Sequence, residues 1–202
     1  MKKIFIFLTA ALVIYCIFSF QQHSRREDAQ KLILDAYAGD LLSVKNDVEE
    51  GAPLDFEMYI QDEQRQYKGV WFNALHAAAS SGNEDIILFL LNEGLNIEAI
   101  TPDMGWTPLM ISARDGHAEA TKLLVYKGAD VNAQSKLGAT ALTFAVSQPF
   151  PSEEERLSLI TYLLNHEADP TLQDSFGHTP LFYAQELGKK EIVKVLQESK
   201  AH

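Results

Sequence analysis

Six histidines and a run of three glutamates are the residues of this 202-residue chain with the most chemistry to offer. A histidine can ligate a metal or relay a proton, and paired carboxylates can act as acid and base. Spacing argues against both. His166 and His178 pair with no cysteine, and neither a His-Glu-x-x-His segment nor any clustered ligand spacing occurs. His23 and His202 lie near the chain ends, and His76 and His117 fall in segments that recur along the chain, where bracing of turns by hydrogen bonds is the simpler reading. Glu153-Glu154-Glu155 reads as a solvated helix start, where the helix dipole favours acids. Ser112 and Ser147 lack a base at a plausible position, and neither a phosphate loop nor a nucleophile elbow is present. No nucleophile, base and charge-stabilising donor can be placed together, so neither an enzyme nor a cofactor or metal site is expected.

The charge balance bears on partners. Acids outnumber bases by 28 to 17, for a formal net charge of -11. Such a surface repels phosphates, so nucleic acid is not an expected partner. It suits solubility and basic protein partners, and it is equally what a plain solvated acidic surface would show. The single cysteine, Cys16, sits in an apolar N-terminal stretch, so the rest of the chain is free of thiols. That is compatible with an oxidising compartment.

The N-terminus has the pattern of an export signal. Met1-Lys2-Lys3 precedes an uncharged run of 17 residues from Ile4 to Phe20. As a helix this run would be about 25 Å long, the short end of a membrane span. No Ala-x-Ala site closes it; the best alternative is cleavage after Ser19, and bulky Tyr15 argues against lipidation at Cys16. Both an uncleaved anchor and a cleaved signal peptide fit, each placing the remainder outside the cytoplasm. Expected boundaries are a hydrophobic helix over 1–20, a linker over 21–27 and a folded domain over 28–200. The expected location is the cell envelope on its periplasmic side, either anchored to the inner membrane or secreted.

Beyond residue 28 the chain repeats. Asn73-Ala74-Leu75-His76, Thr107-Pro108-Leu109-Met110, Thr140-Ala141-Leu142-Thr143 and Thr179-Pro180-Leu181-Phe182 align, with leucines 34, 33 and 39 residues apart. Leu90-Leu91-Asn92-Glu93-Gly94 and Leu123-Leu124-Val125-Tyr126-Lys127-Gly128 follow in register, with Gly82-Asn83 and Gly116-His117 between the two markers. Gly105-Trp106-Thr107-Pro108-Leu109 through Gly128-Ala129-Asp130-Val131-Asn132-Ala133 closely resembles the ankyrin repeat. The resemblance implies an all-α solenoid of helix-turn-helix units joined by short β-hairpins. It implies five repeats, over 28–56, 71–99, 100–133, 134–171 and 172–198, the first and last as caps.

Local physics agrees. Thr107 and Thr179 can N-cap a helix whose first turn accepts the following proline. Ala77-Ala78-Ala79 permits close helix approach, while Gly82, Gly94, Gly116 and Gly128 suit helix ends. No unit could bury both of its faces alone. Three departures stand out. Residues 57–70 lengthen the first connection. Gln148 to Glu155 replaces a tight turn, with Ser152 and Glu155 spaced as a capping box. Glu167 stands where Gly94 and Gly128 stand, and a left-handed Glu would cost roughly 1–2 kcal/mol, so a remodelled helix end is expected there.

In the family resembled here, partners usually meet the concave face made by hairpin tips and first helices. Position by position, that face comprises Met104, Trp106, Arg114 and Asp115 in the third repeat. It continues through Lys136, Leu137, Ala139, Ser147 and Gln148 in the fourth and Ser175, Phe176, His178 and Glu186 in the fifth. Trp106 and Phe176 are either binding anchors left free by stacking or rings packed over neighbouring hairpins. The function implied is a non-catalytic, monomeric adaptor or scaffold that binds another protein, tethered to the membrane by its N-terminal segment. An inhibitor or immunity protein occluding a toxin or enzyme in the envelope is the alternative.

Overall fold

The computed structural model describes residues 21–60 and 70–199. The expected apolar helix over 1–20, and most of the 57–70 insertion, lie outside them. Ten helices and one two-stranded sheet occur among the described residues. The described part of helix α1 covers 21–38. It is followed by α2 (Leu41–Glu49), strands β1 (Met58–Ile60) and β2 (Val70–Phe72), then α3 (Ala74–Ser81) and α4 (Glu84–Asn92). The remaining pairs are α5 (Pro108–Arg114) with α6 (Ala118–Tyr126), α7 (Ala141–Ser147) with α8 (Glu153–Asn165), and α9 (Pro180–Glu186) with α10 (Lys190–Glu198).

From the second repeat on, each first helix starts at a side-chain cap. Asn73, Thr107, Thr140 and Thr179 accept from the backbone N–H three residues on, and Pro108 and Pro180 occupy the first turn, where a missing N–H costs nothing. Gly82 ends α3 in the left-handed region at φ 72, which turns the chain into α4. First helices stack on first helices, α3 on α5 on α7 on α9, and second helices follow as α4 on α6 on α8 on α10. The core fills the space between the layers. Leu75, Ala77–Ala79, Leu109, Ile111, Leu142 and Ala145 are buried from the first helices, with Ile86, Leu90, Leu124, Leu159 and Leu163 from the second. Full burial of each large aliphatic side chain contributes about 1.5–3 kcal/mol, and only stacking provides it.

Four expectations are corrected. Residues 21–27, expected as a linker, are helical and form the first described turns of α1, whose Ala29, Leu32, Ile33 and Ala36 enter the core. The lengthened first connection is a hairpin, with β1 and β2 antiparallel and Met58 opposite Phe72. It contains the only strands among the described residues, the other connections being hydrogen-bonded turns. Helix α8 does begin at a Ser152 cap, which accepts from Glu155 N–H at 3.1 Å, but the cap is one-sided. Glu167, finally, adopts φ 67, so its helix end is left-handed and not remodelled. Its carbonyl accepts from Asn132 Nδ2 at 2.8 Å, and Ala168 N–H reaches Leu163 O at 3.0 Å. These bonds hold the strained residue in the conformation its glycine counterparts adopt freely.

Candidate protein-binding face

The turns between repeats position the candidate face. In each of three, a left-handed glycine (Gly105, Gly138 and Gly177) sits at the tip. Successive tips are tied together: Lys136 N–H donates to Met104 O at 3.0 Å and Ser175 N–H to Leu137 O at 2.9 Å. The approach is close. A Cβ on Gly138 would stand 2.9 Å from Asp174 Cα, whereas one on Gly177 would meet nothing. Two rows of side chains result. Met104, Leu137 and Phe176 precede the glycines and form an apex row, in which Met104 is half-buried against the core; Trp106, Ala139 and His178 follow them and form an inner row.

Trp106 therefore does not project from a tip. It is 8% exposed. Its N–H donates to Thr101 Oγ1 and its carbonyl accepts from Thr101 N–H, which folds the residue back to the base of the turn. The ring meets Phe144 of the next repeat edge-on at 5.8 Å and lies under the Arg114 guanidinium at 4.4 Å. Arg114 and Asp115, expected to orient a partner, are largely buried beside it, and Asp115 accepts from Ser80 Oγ at 2.6 Å. Trp106, Arg114 and Asp115 thus come together as a brace between repeats two to four. The free-anchor reading of Trp106 gives way to the packing one.

The fifth repeat differs because no described segment packs over it. Phe176 is 70% exposed and Leu137 is also exposed. The His178 ring stacks on Phe182 at 3.9 Å, nearly parallel at 11°, and on Phe176 at 6.1 Å. Tyr183 closes the group edge-on to both His178 and Phe182. Asp174 anchors the turn beneath, accepting at Oδ1 from Phe176 and His178 N–H, both at 2.9 Å, and at Oδ2 from the Tyr183 hydroxyl. Partial burial pushes the Asp174 carboxyl up, but the bonds from Tyr183 and the two N–H groups outweigh it and hold it below the ordinary range. The same bond, with burial, pushes the Tyr183 hydroxyl up to about 12.

The other expected residues are dispersed. Lys136 is exposed and its amine reaches Pro102 O. Ser147 and Gln148 are half-buried at the end of α7, and Glu186 is exposed at the end of α9. Sequence reasoning missed Phe182, which is 37% exposed. The signal was available: Phe182 occupies the position of His76, Met110 and Thr143, which the next repeat buries. His76 and His117 brace turns as expected, His76 Nε2 reaching Ala99 O at 3.0 Å and Trp106 O at 3.2 Å, and His117 Nε2 reaching Ser80 O at 2.9 Å. Among the described residues no group of three His, Cys, Asp or Glu side chains could hold a metal ion.

With capped helix pairs, left-handed tips and tip-to-tip bonds in place, a family model described as ankyrin repeats (3 copies) matches residues 32–135 and 134–202. The chain belongs to the ankyrin-repeat family. It is 31% identical over 135 residues to the B-cell lymphoma 3 protein homolog of Mus musculus, covering 67% of this chain and 28% of that protein. It is 32% identical over 116 residues to the ankyrin repeat, SAM and basic leucine zipper domain-containing protein 1 of Callithrix jacchus, covering 57% and 24%. An ankyrin repeat-containing protein of Treponema pallidum (strain Nichols) is 30% identical over 111 residues, covering 55% and 35%. The chain thus spans about a quarter to a third of the length of these relatives. Ankyrin repeats imply a protein-interaction module.

Proposed function

We propose that this chain is a non-catalytic adaptor of the cell envelope that docks a partner protein on Leu137, Phe176, His178 and Phe182. The observation that carries the reading is the exposed aromatic stack of the fifth repeat, set beside the apex row. Large rings held in a fixed geometry by Asp174 and Tyr183 lose little freedom on binding, which is what makes aromatic side chains effective interface anchors. The net charge of -11 favours a basic partner. The envelope location rests on Lys2, Lys3 and the apolar run from Ile4 to Phe20, whether retained as an anchor or cleaved. Among the described residues no helix is long and apolar enough to cross a membrane, and that run lies outside them.

The test is capture from envelope extracts with the full chain and with its Phe176→Ala and Phe182→Ala variants. A partner held by the parent and lost from both variants supports the reading; equal capture by all three refutes it. Adding the chain to the captured partner then separates the two roles. Loss of the partner's activity marks an inhibitor, and unchanged activity marks a scaffold.

A further inference from the structure

The third and fifth repeats carry a ring and a charge at matching positions, with the charge reversed. Trp106 and His178 each follow a tip glycine and precede the Thr-Pro-Leu start of a first helix. Eight residues further on, at the last position of that helix, stand Arg114 and Glu186. In the third repeat the Arg114 guanidinium lies over the Trp106 ring at 4.4 Å, so this chain itself shows an arginine seated on the inner row. The fifth repeat keeps the rings and replaces that arginine with an acid.

The ring left open there is Phe182. His178 covers one of its faces, 3.9 Å away and 11° from parallel. Tyr183 stands nearly perpendicular to both rings at similar distances, 5.8 Å from Phe182 and 5.6 Å from His178. A ring so placed lies beside the stack and not on top of it, so the second face of Phe182 is the exposed one. Glu186 is exposed one turn further along α9, at the spacing that sets side chains on a common helix face with Cβ atoms about 5–6 Å apart. A flat cation on that ring face meets the negative centre of the π system and can direct its N–H donors at the carboxylate. The surroundings supply no competing cation. Over 172–187 the only Asp, Glu, Lys or Arg residues are Asp174 and Glu186, and Asp174 is engaged by Tyr183 and two N–H groups. The adjoining stretch 137–148 has none at all. The lysines of the fifth repeat belong to the second layer, Lys190 and Lys194 within α10 and Lys189 at its start, paired with Glu153.

We infer that Phe182 and Glu186 form an arginine subsite, which takes the guanidinium of an arginine on the partner protein. The inference rests on the docking face proposed above and names what that face recognises. Arginine fits better than lysine because its planar group stacks on a ring and presents a forked edge to a carboxylate at the same time.

The probe is Nα-acetyl-arginine amide, titrated against the full chain by saturation-transfer NMR, with the citrulline analogue as its neutral isostere. Arginine amide should bind saturably and citrulline amide clearly more weakly. Phe182→Leu and Glu186→Gln should each weaken arginine binding about two- to fivefold, with the circular dichroism unchanged. Glu84→Gln makes the same change of net charge on α4 and should leave binding as it was. Equal binding of arginine and citrulline amides, or equal weakening by Glu84→Gln and Glu186→Gln, overturns the subsite. Partner capture separates this inference from the reading beneath it. A partner lost with Phe176→Ala and Phe182→Ala but held equally by Glu186→Gln overturns the arginine subsite and leaves the docking face standing. Equal capture by all of these variants overturns the docking face and the subsite with it.

Discussion

Acid should loosen this repeat stack through one buried ring. His76 accepts at Nδ1 from Asn73 N–H at 3.3 Å and therefore carries its proton on Nε2, which it directs at the carbonyls of Ala99 and Trp106. Protonating Nδ1 would set two N–H donors face to face and break the cap of α3. Burial, only partly offset by the bonds to Ala99 and Trp106, lowers the pKa to about 4 from the ordinary 6.5. Between these values the unfolded chain binds more protons than the folded one, so stability rises with pH across that window. The contribution is complete above about 6.5 and is lost as pH falls toward 4. At about 1.4 kcal/mol per pH unit the full loss is about 3 kcal/mol, of which about 2 kcal/mol is gone by pH 5. His76→Gln is the informative control, because Gln at this position can return the reciprocal cap bond without titrating. Urea unfolding followed by circular dichroism at pH 7.5, 6.5, 5.5 and 5.0 should show the parent losing about 2 kcal/mol more than the variant. In thermal scans this is a difference of about 4–8 °C. Parallel stability curves for the two proteins, or a His76 ring that titrates near 6.5 by NMR, would refute the reasoning.

Other outcomes follow from the turns and the two aromatic sets. Gly138→Ala should destabilise by at least about 1–2 kcal/mol, since the new Cβ meets Asp174 backbone as well as a left-handed φ. Gly177→Ala, which meets only the φ, should cost less, and denaturant midpoints compare the two. Glu167→Gly should raise stability by about 0.5–1 kcal/mol, the relief of left-handed strain exceeding the added backbone entropy; a lower midpoint would contradict it. Trp106→Ala should cost about 3–5 kcal/mol by opening a cavity against Phe144. Phe176→Ala should leave melting nearly unchanged and weaken partner binding about thirtyfold, read by titration against the captured partner.

The all-helical repeat architecture was legible because each unit carries its own punctuation. Thr107-Pro108, Thr179-Pro180 and the glycines after the helices act within a few residues of themselves, and such short-range signals survive in a single sequence. The same holds for the Ser152 cap of α8. What lies between units was not legible in this way. Trp106 and Phe176 look alike as large rings near a tip, yet one stands after its glycine and is covered by Phe144 of the next repeat, while the other stands before its glycine and faces solvent. Phe182 is exposed because nothing in the described stack covers it, which its place in the last repeat signals and its residue type does not. Glu167 shows the same limit: its local cost argued for a different helix end, and bonds supplied by Asn132 and Leu163 outweighed it. Sequence determined where the capped helices begin, because capping is a local energy. Tertiary structure decided which rings are core and which are surface, because burial is a property of what the next repeat places against them.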